Sequence, residues 1–397
     1  MLNGKQVMLG VCGGIAAYKA VELLRLLVKA GAEVHVVMTR AAQEFVTPLT
    51  FQTLSANPVH TDLFNLIAEQ EIGHISLADR ADLCIIAPAT ANIVGKIAHG
   101  IADDMLTTTV MATKAKVLIA PAMNVNMYTN ALYRDNEERL RRHGYYFVPP
   151  VSGELACGWQ GEGKLAAPES IFEAACSLVA PHDLEGQTVL VTAGPTREEI
   201  DPVRFISNHS SGKMGYALAG AAARRGARVI LVSGPTALAA PCGVELVPVV
   251  SAEQMQEAVL RCVAESTVVI KAAAVADYRP AARSGDKIKK RTDSLTLELV
   301  KTPDILAGLG RMQKRPFLVG FAAETTRLQD YALKKLSEKN LDMIVANDVS
   351  QPDAGFNVDT NRALLVMRDG RSIECPLMSK EALADAILDC VRAELPL

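Results

Sequence analysis

Two stretches of this sequence set glycines beside the kinds of side chain that bind phosphate or move protons. The first is GGIAAYK, where Gly13 and Gly14 follow the apolar run 5–12 (KQVMLGVC). A glycine pair at a strand-to-helix turn lets backbone N–H groups approach a phosphate. It also serves a purely steric need in many turns. The spacing is not GxGxxG, so it favours a mononucleotide over a dinucleotide. Thr39 follows the run 33–38 (EVHVVM), and Thr90 and Asn92 follow the strand predicted to end at Ala87. His74 stands in GHISLADRADLCIIAPAT, Asn124 in PAMNVNMY, and Cys157 in ELACGWQGEGKLA beside the only tryptophan. A histidine exchanges protons near neutral pH, and an asparagine amide can grip a carboxylate or close a turn. A thiol with pKa of about 8.5 stays mostly protonated and can serve as an acid. The glycines around Cys157 suit a movable flap; an inert free cysteine is the plainer alternative.

The second stretch is GPTREEIDPVRFISNHSSGKMG, which follows the run 187–193 (QTVLVTA). It is far longer than a usual strand-to-helix turn of roughly 2–6 residues, and such loops are often functional. Its end, Ser210-Ser211-Gly212-Lys213, is predicted to cap a helix whose free N–H groups attract phosphate. The spacing is not that of a Walker A loop. Asn208 just before it can donate to an acyl or phosphate oxygen, or simply close a turn. Asp277 in KAAAVADYR, after the run TVVI, can hold a nucleotide sugar or base, or a metal. KIKKR at 287–291 is either a solvated face or a source of one lysine that closes over a triphosphate. Phe321 in GFAAET is predicted to end a strand, and Lys335 and Lys339 to share one helix face.

The elements that must position these residues alternate between strand and helix. Short apolar runs at 5–12, 33–38, 82–87 and 116–120 are predicted strands, and 15–30 is a predicted helix that stops at Gly31. The pattern restarts at 187–193, with a helix over 213–225 and a strand over 227–232. KAGAEVHVV (29–37) and RRGARVILV (224–232) occupy equivalent places. This is an α/β chain of two Rossmann-like, doubly wound domains in tandem, with parallel sheets covered on both faces. The polar stretch 181–187 (PHDLEGQ) marks the boundary, giving domains 1–185 and 186–397. Segment 281–294 is polar and charged and reads as a mobile loop.

Composition excludes several classes. A net charge of −3 offers nothing to nucleic acid or an anionic membrane. No signal peptide or membrane span is expected. Eight cysteines without a CxxC pair argue against a disulfide framework or zinc site and for a reducing cytoplasm. A nicotinamide oxidoreductase would carry GxGxxG, which neither half has. A regulatory binding subunit would have lost the histidine or cysteine or gained an acidic tail, whereas the chain ends RAELPL.

On GGIAAYK, HISLADRADL, PAMN and the ACG flap, residues 1–180 resemble the flavin-containing cysteine decarboxylases. The resemblance implies that fold, with FMN at the strand ends against Gly13, Gly14, Ile15, Thr39, Thr90 and Asn92. It places the active-site histidine on His74, the carboxylate-gripping asparagine on Asn124 and the reductive cysteine on Cys157. Some members follow PxMN with Met-Trp, where this chain has Met127-Tyr128. The implied chemistry oxidises the substrate thiol to a thioaldehyde, with FMN taking the electrons. That creates a sink β to the carboxylate; carbon dioxide leaves, and the enethiolate is reduced and protonated.

Residues 186–390 resemble the phosphopantothenate–cysteine ligases, in particular the bacterial type fused to such a decarboxylase. The long Asn208 loop, AAAVADY, KIKK, TPDIL, GFAAET and ANDVS carry the likeness. It implies CTP bound by Ala272, Ala273, Ala274, Asp277, Lys287, Pro303, Asp304, Ile305, Leu306, Phe321, Lys335 and Lys339, with Asn208 handling an acyl-cytidylate. The carboxylate of 4′-phosphopantothenate would attack the α-phosphorus of CTP, and the cysteine amine would then displace CMP. Mg²⁺ would bridge phosphate oxygens. The product is the substrate of the first half. The resemblance also implies a homo-oligomer, with trimers through the first domain, dimers through the second and a dodecamer built from both.

Overall fold

The structure, a computed structural model, describes residues 2–63, 73–154, 158–289, 295–324, 328–348, 355 and 358–395. The chain divides into two units, Met1–Ala180 and Pro181–Leu397.

The first unit begins with β1 (Gln6–Val11), whose apolar run is buried from Val7 onward, as a strand covered on both faces must be. Helix α1 (Ala17–Lys29) turns Ala17, Ala20, Leu23, Leu24 and Leu27 inward, a stripe at helical spacing. It stops where Gly31 takes a left-handed φ of 82°. There follow β2 (Glu33–Met38), α2 (Pro48–Ser55), β3 (Val59–His60), α3 (Gly73–Arg80), β4 (Leu83–Ala89), α4 (Ala91–Ala98) and α5 (Met105–Ala112). The unit closes with β5 (Lys116–Pro121), α6 (Val125–Tyr128), α7 (Ala131–Arg142), β6 (Tyr146–Phe147), the hairpin β7 (Val151–Glu154) and β8 (Gln160–Lys164), and α8 (Pro168–Val179). The main sheet runs β3-β2-β1-β4-β5-β6, with every pair parallel. Helix α1 packs into the core on one face and α4 and α5 into the core on the other. The chain therefore leaves β1 and β4 toward opposite faces, and a crevice opens between their carboxyl ends.

The second unit repeats this design. It comprises β9 (Thr188–Ala193), the small strands β10 (Arg197–Glu199) and β11 (Phe205–Ser207), α9 (Lys213–Arg224), β12 (Arg228–Ser233), β13 (Val244–Pro248), α10 (Ala252–Cys262) and β14 (Val268–Lys271). Then come β15 (Tyr278–Pro280), β16 (Leu299–Lys301), α11 (Ile305–Gly310), β17 (Phe317–Glu324), α12 (Leu328–Glu338), β18 (Met343–Asp348), β19 (Thr360–Met367), β20 (Ser372–Ser379) and α13 (Lys380–Glu394). The sheet order is β13-β12-β9-β14-β17-β18-β19-β20. It is parallel up to β18 and antiparallel over its last two pairings. Helices α9 and α13 cover one face and α10 and α11 the other, so the crevice lies between the ends of β9 and β14. No helix among the described residues is long and apolar enough to cross a membrane.

One local expectation changes and another is narrowed. Phe321 does not end a strand; β17 runs on to Glu324, because β18 keeps pairing with it there. Its other neighbour, β14, stops opposite Gly320, which leaves Phe321 at the lip of the crevice. Helix α9 is capped within the predicted stretch, though by its glycine and not by a hydroxyl. Its cap is Gly212 at φ 81°, and the Ser210 hydroxyl instead accepts a bond from the Gly212 N–H, 3.3 Å. A left-handed residue there suits glycine and not serine.

Candidate functional sites

In the first unit the turn after β1 is built on close approach. A Cβ added to Gly13 would lie 2.4 Å from the Ala41 Cβ and 2.8 Å from the Ala41 carbonyl oxygen. At Gly14 the nearest atom to such a Cβ is 4.0 Å away, on Thr90. The first glycine is therefore required by packing, and the second leaves an opening between the turns after β1 and β4. Thr39 and Thr90 each begin a helical turn, and their hydroxyls accept from the N–H groups of Ala42 (3.3 Å) and Ile93 (3.4 Å). Ile15 and Asn92 are exposed beside these turns. Cys12, not singled out by sequence, sits fully buried next to Gly13, and burial pushes its thiol up to about 12. It stays protonated and inert.

His74 lies in the first turn of α3. Its Nδ1 is buried and has no hydrogen-bond partner among the described residues. A buried polar atom left so is costly, and such atoms mark places where a ligand is expected. Asn124 caps α6, its Oδ1 accepting from the Asn126 N–H at 2.8 Å. The cap uses the oxygen of the amide. Strand β8 is pressed onto the same turn. The Met123 N–H donates to the Gly163 carbonyl at 2.9 Å, and a Cβ on Gly163 would come within 2.3 Å of the Met123 oxygen. Cys157 lies outside the described residues. The strands on either side of it in sequence, β7 and β8, are described, and β8 lies against the Asn124 turn.

In the second unit several of the predicted residues, from distant parts of the chain, are joined by hydrogen bonds and an ion pair. The Asn208 Nδ2 donates to the Ala274 carbonyl at 3.0 Å. Pro195 and Ala274 form a bridge, and the hydroxyls of Thr192 and Thr196 accept from the N–H groups of Ala273 (3.2 Å) and Ala276 (3.0 Å). Thr302 donates through its hydroxyl to the Ala276 carbonyl (2.5 Å) and through its N–H to the Asp277 carbonyl (3.0 Å). This holds exposed Asp277 beside Pro303 and Asp304. Asp304 caps α11 and pairs with Lys339 at 3.1 Å. The Ile305 and Leu306 side chains are core residues, so they can offer a nucleotide only their backbone. Lys335 is half-buried one turn before Lys339, which lies just past the end of α12. At the head of α9, Gly215 is pressed on the strand end, where a Cβ would lie 2.5 Å from the Ala193 Cβ. Lys213 in its first turn pairs with Asp359 at 2.6 Å.

Lys287 is exposed and ion-pairs with no described residue. The segment before it differs from the free loop that composition suggested, because residues 283–288 are bonded to the turn between β10 and β11. Sequence reading passed over Lys271, which ends β14 beside Lys339, Asp304 and Asp277. Burial, assisted by Lys339, brings its ammonium down to about 8. Its position as the last residue of a central strand was the available signal. Among the described residues no group of three or more His, Cys, Asp or Glu side chains gathers to hold a metal.

Comparison with known proteins divides the chain the same way. Residues 1–180 match the family described as Flavoprotein, and residues 184–395 match the DNA/pantothenate metabolism flavoprotein C-terminal domain. The coenzyme A biosynthesis bifunctional protein CoaBC of Bacillus subtilis (strain 168) is 53% identical over 99% of this chain and 98% of its own. The crystal structure of the C-terminal domain of a coenzyme A biosynthesis bifunctional protein is 48% identical over 53% of this chain and 97% of its own, with a TM-score of 0.47. The FMN-dependent cysteine decarboxylase SpaF is 31% identical over 44% of this chain and 99% of its own, with a TM-score of 0.39.

Proposed function

Because this chain belongs to the family of coenzyme A biosynthesis bifunctional proteins, we propose that its halves catalyse consecutive steps toward coenzyme A. The second unit joins cysteine to 4′-phosphopantothenate, and the first decarboxylates the phosphopantothenoylcysteine to 4′-phosphopantetheine. The observation that carries this reading is the 53% identity over essentially the whole of both chains.

In the ligase unit the nucleotide is CTP. The carboxylate of 4′-phosphopantothenate attacks the α-phosphorus, pyrophosphate leaves, and the acyl-cytidylate then yields an amide and CMP when the cysteine amine attacks. Asn208, fixed on Ala274, would donate to the carbonyl and phosphate oxygens of the acyl-cytidylate. The backbone of Ala272–Ala274 and Pro303–Leu306 frames the base and sugar with Asp277, Phe321, Lys335 and Lys339. Lys287 neutralises the departing pyrophosphate. Mg²⁺ would enter with the nucleoside triphosphate and offset its negative charge.

The residues of the first unit fit a flavin. Gly14 leaves an opening at the crevice, and a buried His74 nitrogen has no partner among the described residues. Gly13, Gly14, Ile15, Thr39, Thr90 and Asn92 would hold FMN, which supplies a reversible two-electron acceptor for the carbon bearing the substrate thiol. Asn124 binds the carboxylate through its amide nitrogen. His74 orients the thiol and takes its proton. Cys157 gives a proton to the carbon that lost the carboxylate, while the carbon bearing the thiol regains its hydride.

The protein works in the cytoplasm as a homo-oligomer, through trimers of the first unit and dimers of the second. Exposed Phe205, Tyr278 and Leu299 on the small strands of the second unit, with Val203 in the turn between β10 and β11, support such an interface. The test is to purify the protein, record its visible spectrum, and supply phosphopantothenate, cysteine and either CTP or ATP. A yellow protein that forms CMP and carbon dioxide is expected. A colourless protein that takes up no added FMN removes the flavin assignment, and AMP formed in preference to CMP removes the CTP assignment.

A further inference from the structure

The hairpin turn between β10 and β11 grips the segment leading to Lys287 along its length. Arg283 pairs with Glu199 at 2.7 Å, and the Ser284 N–H donates to the Ile200 carbonyl at 3.0 Å. At the far end the Ile288 N–H donates to the Asp201 Oδ2 (3.1 Å), and the Arg204 Nη2 donates to the Ile288 carbonyl (2.8 Å). Both backbone groups of the residue after Lys287 are therefore taken by one carboxylate–guanidinium pair. Asp201 is the centre of that pair. It is 1% exposed. Its oxygens also accept from the N–H groups of Val203 and Arg204, at 2.8 and 2.9 Å, and from the Arg204 side chain at 3.0 Å through Nε and 2.5 Å through Nη2.

Such a buried carboxylate exceeds what a hairpin turn needs. An aspartate closing a turn spends one oxygen on the local N–H groups, as Oδ1 does here with Val203 and Arg204. The other oxygen, Oδ2, reaches across 87 positions of sequence to Ile288. The Arg204 guanidinium holds the carboxyl well below the usual carboxylate range, so it remains an acceptor at any working pH. The same hairpin continues through β11 directly into Asn208. One rigid element thus ends in the asparagine on Ala274 and carries the anchor of the KIKK segment.

We propose that Asp201 is a positioning residue of the ligase: with Arg204 it fixes the backbone at Ile288 and so holds Lys287 in register with Asn208 over the nucleotide triphosphate. This rests on the reading of Lys287 as the pyrophosphate-neutralising lysine. Without the clamp, Lys287 keeps its charge but loses its place, and the cost falls on nucleotide use and not on binding of phosphopantothenate.

The full chain is tested as Asp201→Asn, and separately as Arg204→Lys, which keeps the pair's charge but loses the planar fork that reaches both Asp201 and Ile288. Ligase kinetics and brief trypsin digestion are the readouts, since Lys287 and Lys289 are themselves trypsin sites. Both variants are expected to raise the KM for CTP and lower the ligase kcat by about tenfold or more, with the KM for phosphopantothenate unchanged. Cleavage after Lys287 or Lys289 should quicken by a similar factor. Decarboxylation of supplied phosphopantothenoylcysteine should match the parent and reports that the chain is folded. Parental cleavage rates in both variants overturn the clamp. A KM for phosphopantothenate that rises in step with that for CTP also overturns it, by showing general loosening of the unit. Lys287→Ala tests the underlying reading separately: an unimpaired ligase there refutes the role of Lys287, while quickened cleavage in Asp201→Asn would still establish the clamp.

Discussion

The two units carry the same run of six parallel strands, β3-β2-β1-β4-β5-β6 in the first and β13-β12-β9-β14-β17-β18 in the second, yet they leave the central strand differently. The first passes from β1 to α1 by a tight turn whose Gly13 has no room for a side chain. The second inserts a hairpin between β9 and α9 and gives it bonds to Ala274 and Ile288. A cofactor that stays bound through many turnovers suits a tight, pre-formed cradle. A co-substrate that must enter, react and leave as two fragments suits separate gripping elements held to one frame. The difference lies in the connection and not in the sheet, which is why one scaffold serves both tasks.

The sharpest way to break this comparison is to damage one site and read the other. Lys287→Ala or Asn208→Asp should lower ligase turnover by about 10²–10³-fold, as expected when one donor to developing charge is lost. Decarboxylation of supplied intermediate should not change. A parallel loss of both activities would mean that the units do not act independently.

A smaller effect separates the turns themselves. Gly13→Ala forces a methyl group onto Ala41, and Gly234→Ala, at the residue that follows β12 and abuts the start of the β9-to-α9 connection, forces one to within 1.9 Å of the Pro195 carbonyl oxygen. Each should destabilise its own unit by about 1–3 kcal/mol, the usual cost of overpacking. Thermal melts should show it, Gly13→Ala with loss of flavin absorbance and Gly234→Ala without. Retention of flavin and parental melting by Gly13→Ala would show that the first turn is not built on close approach.

The smallest effect is one of pH and concerns the second unit alone. Lys271 titrates at about 8 in the folded protein, against about 10.4 for an unfolded lysine. Between these values the unfolded chain binds more protons, so the stability of this unit should rise with pH from about 8 to about 10.4. Over the same interval the crevice loses a positive charge, and the KM for CTP should climb by roughly two- to fivefold. Lys271→Met should remove both trends. Their persistence would move the titration to another group.

Much of this arrangement is legible along the chain. Alternating apolar runs and helical stripes mark the strands and helices, because burial on both faces of a parallel sheet leaves a continuous apolar run that needs no partner to be recognised. Gly31 is legible for the same local reason, as a helix stop in the left-handed region. Phe321 was misplaced because the length of β17 is set by β18 pairing beside it, whereas β14 ends sooner. The cap of α9 falls inside the stretch the sequence marks, but on Gly212, because the Ser210 hydroxyl serves the backbone just before it. Lys271 reads as one more polar residue after an apolar run; only its burial beside Lys339 makes it unusual.

Sequence alone thus determined the two α/β units, their glycine turns and the side chains capable of the chemistry, since periodicity and residue type report local burial and intrinsic reactivity. Tertiary structure decided which of them meet. Asn208 reaches Ala274 across 66 positions, and Asp201 reaches Ile288 across 87. Those meetings follow from the placement of β9 beside β14, a pairing of backbone hydrogen bonds between strands that no local pattern encodes.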